Sequence, residues 1–285
     1  MSGVIFRSEP PARGVATALA PVRVRGGIAA HFVSDSGRTT VASLSERGGY
    51  RLARPSTFAP HLEALQVNTG GGVVGGDRVA FDFAVGAGAD VVVSTSSAER
   101  IYRSDGATAE LGVKLSLEAG ARLDWLPQQT IVVAGARVRR RIEVDVAAGS
   151  QFVMAEMLTF GRPASEETRS PAAIADHWRV RRDGRLVFAE ALALDGAYAD
   201  VLARPAVANG ARASALILCV APDAPDRLDR VRLALEGAPC DAAASTWNGL
   251  LVVRALAARP QQLIAGVTRA IEALTGRLLP RVWSI

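Results

Sequence analysis

Along the first two-thirds of the chain apolar and polar residues alternate with a period of two, the pattern of strands that bury one face. Val79, Phe81, Phe83 and Val85 share one face, as do Leu111, Val113, Leu115 and Leu117. A third row, Val138, Ile142, Val144 and Val146, is interrupted by one charged residue, Arg140. The stretch Trp178–Arg182, the pair Asp183-Gly184 and the stretch Arg185–Ala189 read as a hairpin, because Asp-Gly suits a type I′ turn. Two helices are expected near the C-terminus. Asp226–Glu236 carries Leu228, Val231 and Leu235 on one face and stops at Gly237, and Gln261–Leu279 lies between Pro260 and Pro280. Between them, Gly249–Val253 reads as a buried strand.

A weak repeat joins these strands. Val85-Gly-Ala-Gly-Ala89, Leu117-Glu-Ala-Gly-Ala121 and Val146-Ala-Ala-Gly-Ser150 each lead from an alternating strand into a second apolar strand, and Gly88, Gly120 and Gly149 are 32 and 29 residues apart. Units of this period suggest layers stacked on one another, against the simpler account that alanine- and glycine-rich turns coincide. The expected fold is mainly β, layered or β-solenoid-like, with a few helices, two of them near the C-terminus. One domain covers 1–285: an N-terminal extension over about 1–20, a β-rich body over 20–215 and an α/β part over 216–285. If the units stack, aligning them on Ile101, Ile131 and Leu158 places Glu99, Gln129 and Glu156 in one polar column, which either faces solvent or needs partners inside.

Composition changes this picture little. The chain has 285 residues, 49% hydrophobic and 5% aromatic, which is too apolar for disorder and enough for a core without disulfides. Two cysteines, Cys219 in an apolar run and Cys240 in a loop, fit a reducing compartment. No apolar run reaches the roughly 18–20 residues of a membrane span, and the first twenty residues lack the pattern of a signal peptide. A cytoplasmic protein without a membrane anchor is therefore expected. The net charge is +5, and only Lys114 among the basic residues outside histidine is not arginine. The one dense basic run, Arg137-Val-Arg-Arg-Arg141, raises nucleic-acid binding as a rival, but interspersed acids and few aromatics argue against it.

The strongest motif is Asn68-Thr-Gly-Gly-Gly-Val-Val-Gly-Gly-Asp77. It contains G-x-G-x-x-G, yet the residues after it alternate like a strand rather than opening a helix, so a dinucleotide site is not expected. The Gly-Lys-Ser/Thr of a phosphate loop is missing. Gly70, Gly71, Gly72, Gly75 and Gly76 imply positive φ or close chain approach. Asp77 either caps this turn or presents its carboxylate to a ligand. Nucleophile-elbow, zinc-protease and Cys-x-x-Cys motifs are absent, and His31, His61 and His177 are far apart, which leaves no anchor for enzyme chemistry.

This loop, followed in order by Ser94–Arg103, Leu123–Ile131, Phe160-Gly-Arg-Pro163 and Trp178–Leu186, resembles the UreD (UreH) urease accessory proteins over roughly residues 20 to 280. The resemblance implies a β scaffold that is not an enzyme. It further implies a nickel-delivery chaperone that works with a helical accessory protein and a GTPase on the urease apoprotein, where the bis-nickel centre is completed. It allows a dimer within that assembly and implies an internal passage for nickel. No tightly bound cofactor is expected, only transient nickel. Oxygen ligands suit weak, reversible binding, so Asp77, Glu99 and Glu156 are the candidate transit ligands. A metal-free scaffold with the same partners is the alternative. Gln129 stands where relatives commonly have Glu, which weakens it as a ligand. Glu167 matches a family position, and Glu166 beside it adds a charge. The apolar stripe of 261–279 fits packing on a sheet or a partner surface.

Overall fold

The computed structural model describes residues 22–161 and 171–284; the candidate Glu167, its neighbour Glu166 and the N-terminal extension lie outside them. Two sheets face each other. The first contains β1 (Arg25–Asp35), β2 (Arg38–Arg47), β5 (Arg78–Val85), β8 (Ala109–Leu117), β11 (Arg137–Val146), β13 (Ala172–Arg182) and β14 (Arg185–Gly196), in the order β14-β13-β11-β8-β5-β1-β2. The second contains β3 (Tyr50–Ala53), β4 (Leu62–Asn68), β6 (Asp90–Thr95), β9 (Arg122–Leu126), β12 (Gln151–Phe160), β15 (Ala213–Val220), β16 (Asp241–Trp247) and β17 (Leu250–Ala257), in the order β16-β17-β15-β12-β9-β6-β4-β3. The short strands β7 (Glu99–Ile101) and β10 (Thr130–Val132) extend it alongside the far end of β12.

The chain winds between the sheets as a solenoid. It passes from β5 to β6 and β7, returns to β8, then runs through β9 and β10 to β11 and on to β12. Within each sheet the successive passes pair in parallel: β5 with β8 and β8 with β11, β6 with β9 and β9 with β12. Antiparallel strands close the ends, which protects the open edges of a parallel stack.

The repeated glycine turns form the corners. Ala89 N, Ala121 N and Ser150 N donate to the carbonyls of Gly86, Glu118 and Ala147 at 3.1, 3.0 and 3.3 Å. The glycine before each donor sits at φ +69°, +72° and +75°, a conformation that would strain an L side chain. The hairpin also forms as its sequence suggests, with Asp183 and Gly184 at φ +49° and +76°, both positive as a type I′ turn requires.

The polar column does not form in the expected register. Glu99 pairs with Thr130, and Thr130 with Leu158. Ile101 pairs with Val132 and Val132 with Phe160, so aligning the passes on Ile101, Ile131 and Leu158 misplaces Gln129 by one and Glu156 by two. A second difference is the last helix. Here α3 spans Pro260–Thr275 and stops at Gly276, which adopts the left-handed conformation (φ +67°) and ends the helix before Leu279. The other late helix, α2 (Leu228–Leu235), follows a 3-10 turn at Pro225–Arg227, and a short α1 (Tyr198–Leu202) carried no clear periodic signal.

Apolar side chains of both sheets form the main core, with Phe83 of the first tilted against Trp125 of the second at 5.6 Å between ring centroids. The outer face of the second sheet is covered by α2 and α3, so the α3 stripe is spent on packing. A third apolar group lies between the sheets at their other end and includes Val138, Leu158, Ile174 and Phe160. The basic run on β11 is divided by the pleat: Arg137, Arg139 and Arg141 point outward, with Arg139 paired to Glu110 at 2.6 Å, and Arg140 points in. Among the described residues no helix is long and apolar enough to cross a membrane.

Candidate functional site

Three strands change from one inter-sheet core to the other at a charged residue. On β11 Arg140 stands between Val138 and Ile142, on β12 Glu156 stands between Met154 and Leu158, and on β13 Asp176 stands between Ile174 and Trp178. In each case the flanking pair belongs to different cores. Parallel pairing sets Arg140 directly beside Asp176 in the first sheet, and Glu156 faces them from the second. All three are buried, at 8%, 6% and 5% exposure.

Burying charge is tolerated when every polar atom finds a partner. Arg140 grips Asp176 with two parallel bonds, Nε to Oδ1 at 2.9 Å and Nη2 to Oδ2 at 2.7 Å, and reaches across with Nη1 to Glu156 Oε2 at 2.5 Å. The Trp125 indole donates to Glu156 Oε1 at 2.9 Å and the Trp178 indole to Asp176 Oδ2 at 3.3 Å. Burial pushes the Glu156 carboxyl above the ordinary range, opposed by Arg140 and the Trp125 hydrogen bond. The Arg140 guanidinium stays charged, because the attraction of its two carboxylates outweighs its loss of water.

Two larger cavities, and a small one of about 20 Å³, touch this cluster. One of about 90 Å³ is lined by Asn68, Glu99, Trp125, Gln128, Arg140 and Glu156. The other, of about 310 Å³, has Arg140, Glu156 and Asp176 on one wall and the surface pair Glu190–Arg254 on another. Glu99 accepts from Asn68 Nδ2 at 3.1 Å on both oxygens, and the same amide donates to the Tyr50 hydroxyl at 3.1 Å. Burial raises the Glu99 carboxyl, partly offset by Asn68 and the Arg100 backbone amide.

The structure therefore brings Glu99 and Glu156 to one cavity and separates Asp77 from them. Asp77 is 2% exposed and lines neither cavity. Its Oδ1 accepts from Val24 N at 2.7 Å and its Oδ2 from Val74 N at 2.9 Å, so it ties the glycine loop to the chain entering β1. Gln129 also lines neither cavity; its Oε1 accepts from the Thr159 hydroxyl at 2.7 Å. The glycine loop serves close packing. A Cβ on Gly72 would lie 2.4 Å from the Tyr102 ring, and one on Gly75 would lie 2.3 Å from the Ala107 carbonyl. The gap lets Val73 N bond Arg100 O at 2.7 Å and so fixes β7, the strand that carries Glu99. Gly70, by contrast, has ordinary φ and only the Asn68 side chain near it. Among the described residues no three His, Cys, Asp or Glu side chains converge as a metal cage.

Asp176 was missed by sequence reasoning, although its position in the inward row Ile174, Asp176, Trp178, Val180 marks it as Arg140 is marked. A second buried charge group lies on the outer face of the second sheet. There Arg277 holds Asp90 at 2.8 and 2.5 Å, and both Arg277 and Arg122 stand 3.4 Å from Asp124. It anchors the segment after α3, whose Trp283 indole donates to Ser94 Oγ at 3.1 Å.

The family described as UreD urease accessory protein matches residues 24–284. The chain belongs to the UreD family of urease accessory proteins. It is 45% identical over 286 residues to Urease accessory protein UreD of Xanthobacter autotrophicus, covering 99% of each chain. To the protein of the same name in Methylobacterium sp. (strain 4-46) it is 46% identical, over 87% of this chain and 89% of that one. To Urease accessory protein UreD 1 of Methylobacterium radiotolerans it is 47% identical, over 87% and 86%. UreD relatives are thus named as accessories to an enzyme.

Proposed function

We propose that this UreD protein is a cytoplasmic scaffold and nickel-delivery chaperone, not itself an enzyme, that passes nickel towards the bis-nickel centre of urease. In this reading it works in a complex with a helical accessory protein and a GTPase, docked on the urease apoprotein. The observation that carries it is the pair of cavities that share Arg140 and Glu156 as a common wall, with Asp176 on the side of the larger one. Carboxylate oxygens presented one or two at a time bind nickel weakly enough to release it, whereas several histidines or thiolates would retain it. Glu99 and Glu156 are the transit ligands in this proposal. Asp77, with both oxygens committed to backbone amides, is better suited to hold the loop.

The test is urease activation in cells co-expressing the accessory proteins with Glu99→Gln or Glu156→Gln. Both substitutions keep side-chain size and remove the carboxylate. Activation should fall several-fold while the complex still co-elutes. Full activation by both variants would overturn nickel passage and leave a metal-free scaffold.

A further inference from the structure

We propose that Arg140 is a latch between the two cavities: its guanidinium holds the place a divalent cation would take, and cargo passes only when that group swings aside. The inference rests on the nickel-passage reading above and adds the element that controls it. All four carboxylate oxygens of Glu156 and Asp176 are already engaged, three by Arg140 and one by Trp125, with Trp178 adding a second bond to one of Arg140's three. A cation arriving from the Glu99 side thus meets no free oxygen at the junction, and the guanidinium must leave first.

Charge sets the direction of the exchange. Two carboxylates and one guanidinium leave the closed junction with one net negative charge, while a divalent cation in place of the guanidinium neutralises it. A monovalent ion offers no such gain, so the latch favours divalent cargo. The cavity of about 310 Å³ beside Arg140 and Asp176 supplies room for the displaced side chain. The guanidinium remains tethered to β11, and a tethered competitor acts at a high effective concentration. It returns readily and expels the cation, which explains how buried carboxylates can bind nickel without trapping it.

The junction carries its own reporter, because the Trp125 indole is bonded to Glu156 and Ni²⁺ quenches indole fluorescence at short range. The full chain, co-purified with its helical accessory partner, is titrated with Ni²⁺, and the junction signal is the part lost in Trp125→Phe. Arg140→Lys keeps the charge but cannot form the two-pronged grip. It should lower the Ni²⁺ concentration for half-quenching by about tenfold or more, the change expected for losing a charge-assisted hydrogen bond. Wild-type protein in a stopped-flow experiment supplies a test that needs no stable Arg140 variant. If opening precedes binding, the quenching rate levels off as Ni²⁺ is raised. A rate that rises linearly throughout, or equal half-quenching in the wild type and Arg140→Lys, would overturn the latch while leaving nickel passage standing. Absence of any Trp125-dependent quenching would overturn both.

Discussion

The glycine loop and the junction between the sheets each bury carboxylate, and they hold it by different means. Asp77 is bonded by the amides of Val24 and Val74, groups that cannot move without unfolding the loop. Glu156 and Asp176 are bonded by an arginine and two indoles, side-chain donors that line the adjoining cavities. Backbone donors suit a carboxylate whose task is to fix the chain. Side-chain donors suit one that must exchange partners. A buried acidic residue is thus not informative by itself; the identity of its donors is.

The largest effect expected from this contrast is on stability at the junction. Arg140→Ala leaves two buried carboxylates without their cation and should cost about 3–5 kcal/mol in urea unfolding. A loss under about 1 kcal/mol would mean that the ion cluster is already hydrated and the comparison with Asp77 is void. Next comes Asp77→Ala, which orphans two backbone amides and should cost about 2–4 kcal/mol. Urease activation per folded molecule should not change in this variant. A specific loss of activation at unchanged stability would return Asp77 to the nickel path.

The smallest expected effect is at Glu99, and it has a sign. Burial raises this carboxyl above its value in the unfolded chain, so its contribution to stability is full below the unfolded value and is lost as pH rises through the folded one. Gln is neutral throughout. Glu99→Gln should match the wild type in acid and equal or exceed it in urea midpoint at pH 8, even as activation falls. A variant less stable at pH 8 would show that ionised Glu99 holds the fold together.

Much of the architecture was legible locally. Period-two rows, the Asp-Gly hairpin and the three glycine turns depend on neighbouring residues, and all three appear in the structure. The polar column was not legible, because the apolar anchors Ile131 and Leu158 sit one and two positions short of the residues in register with Ile101, and only the pairing of β7, β10 and β12 reveals it. The end of α3 was half legible: Pro280 was read as the stop, while Gly276 supplied it four residues earlier.

The amino-acid sequence by itself determined the solenoid period, the strand faces, the family and one anomaly, Arg140 in an apolar row. These follow from periodicity and short motifs, which are properties of residues close in the chain. Only the tertiary structure decided what Arg140 does there. Its partners lie 16 and 36 residues away, one on the facing sheet and one on the adjacent strand. Their meeting depends on how the passes stack and how far apart the sheets sit. The same stacking turned Asp77 toward backbone amides and Glu156 toward a cavity, a distinction that two carboxylates in a sequence do not carry.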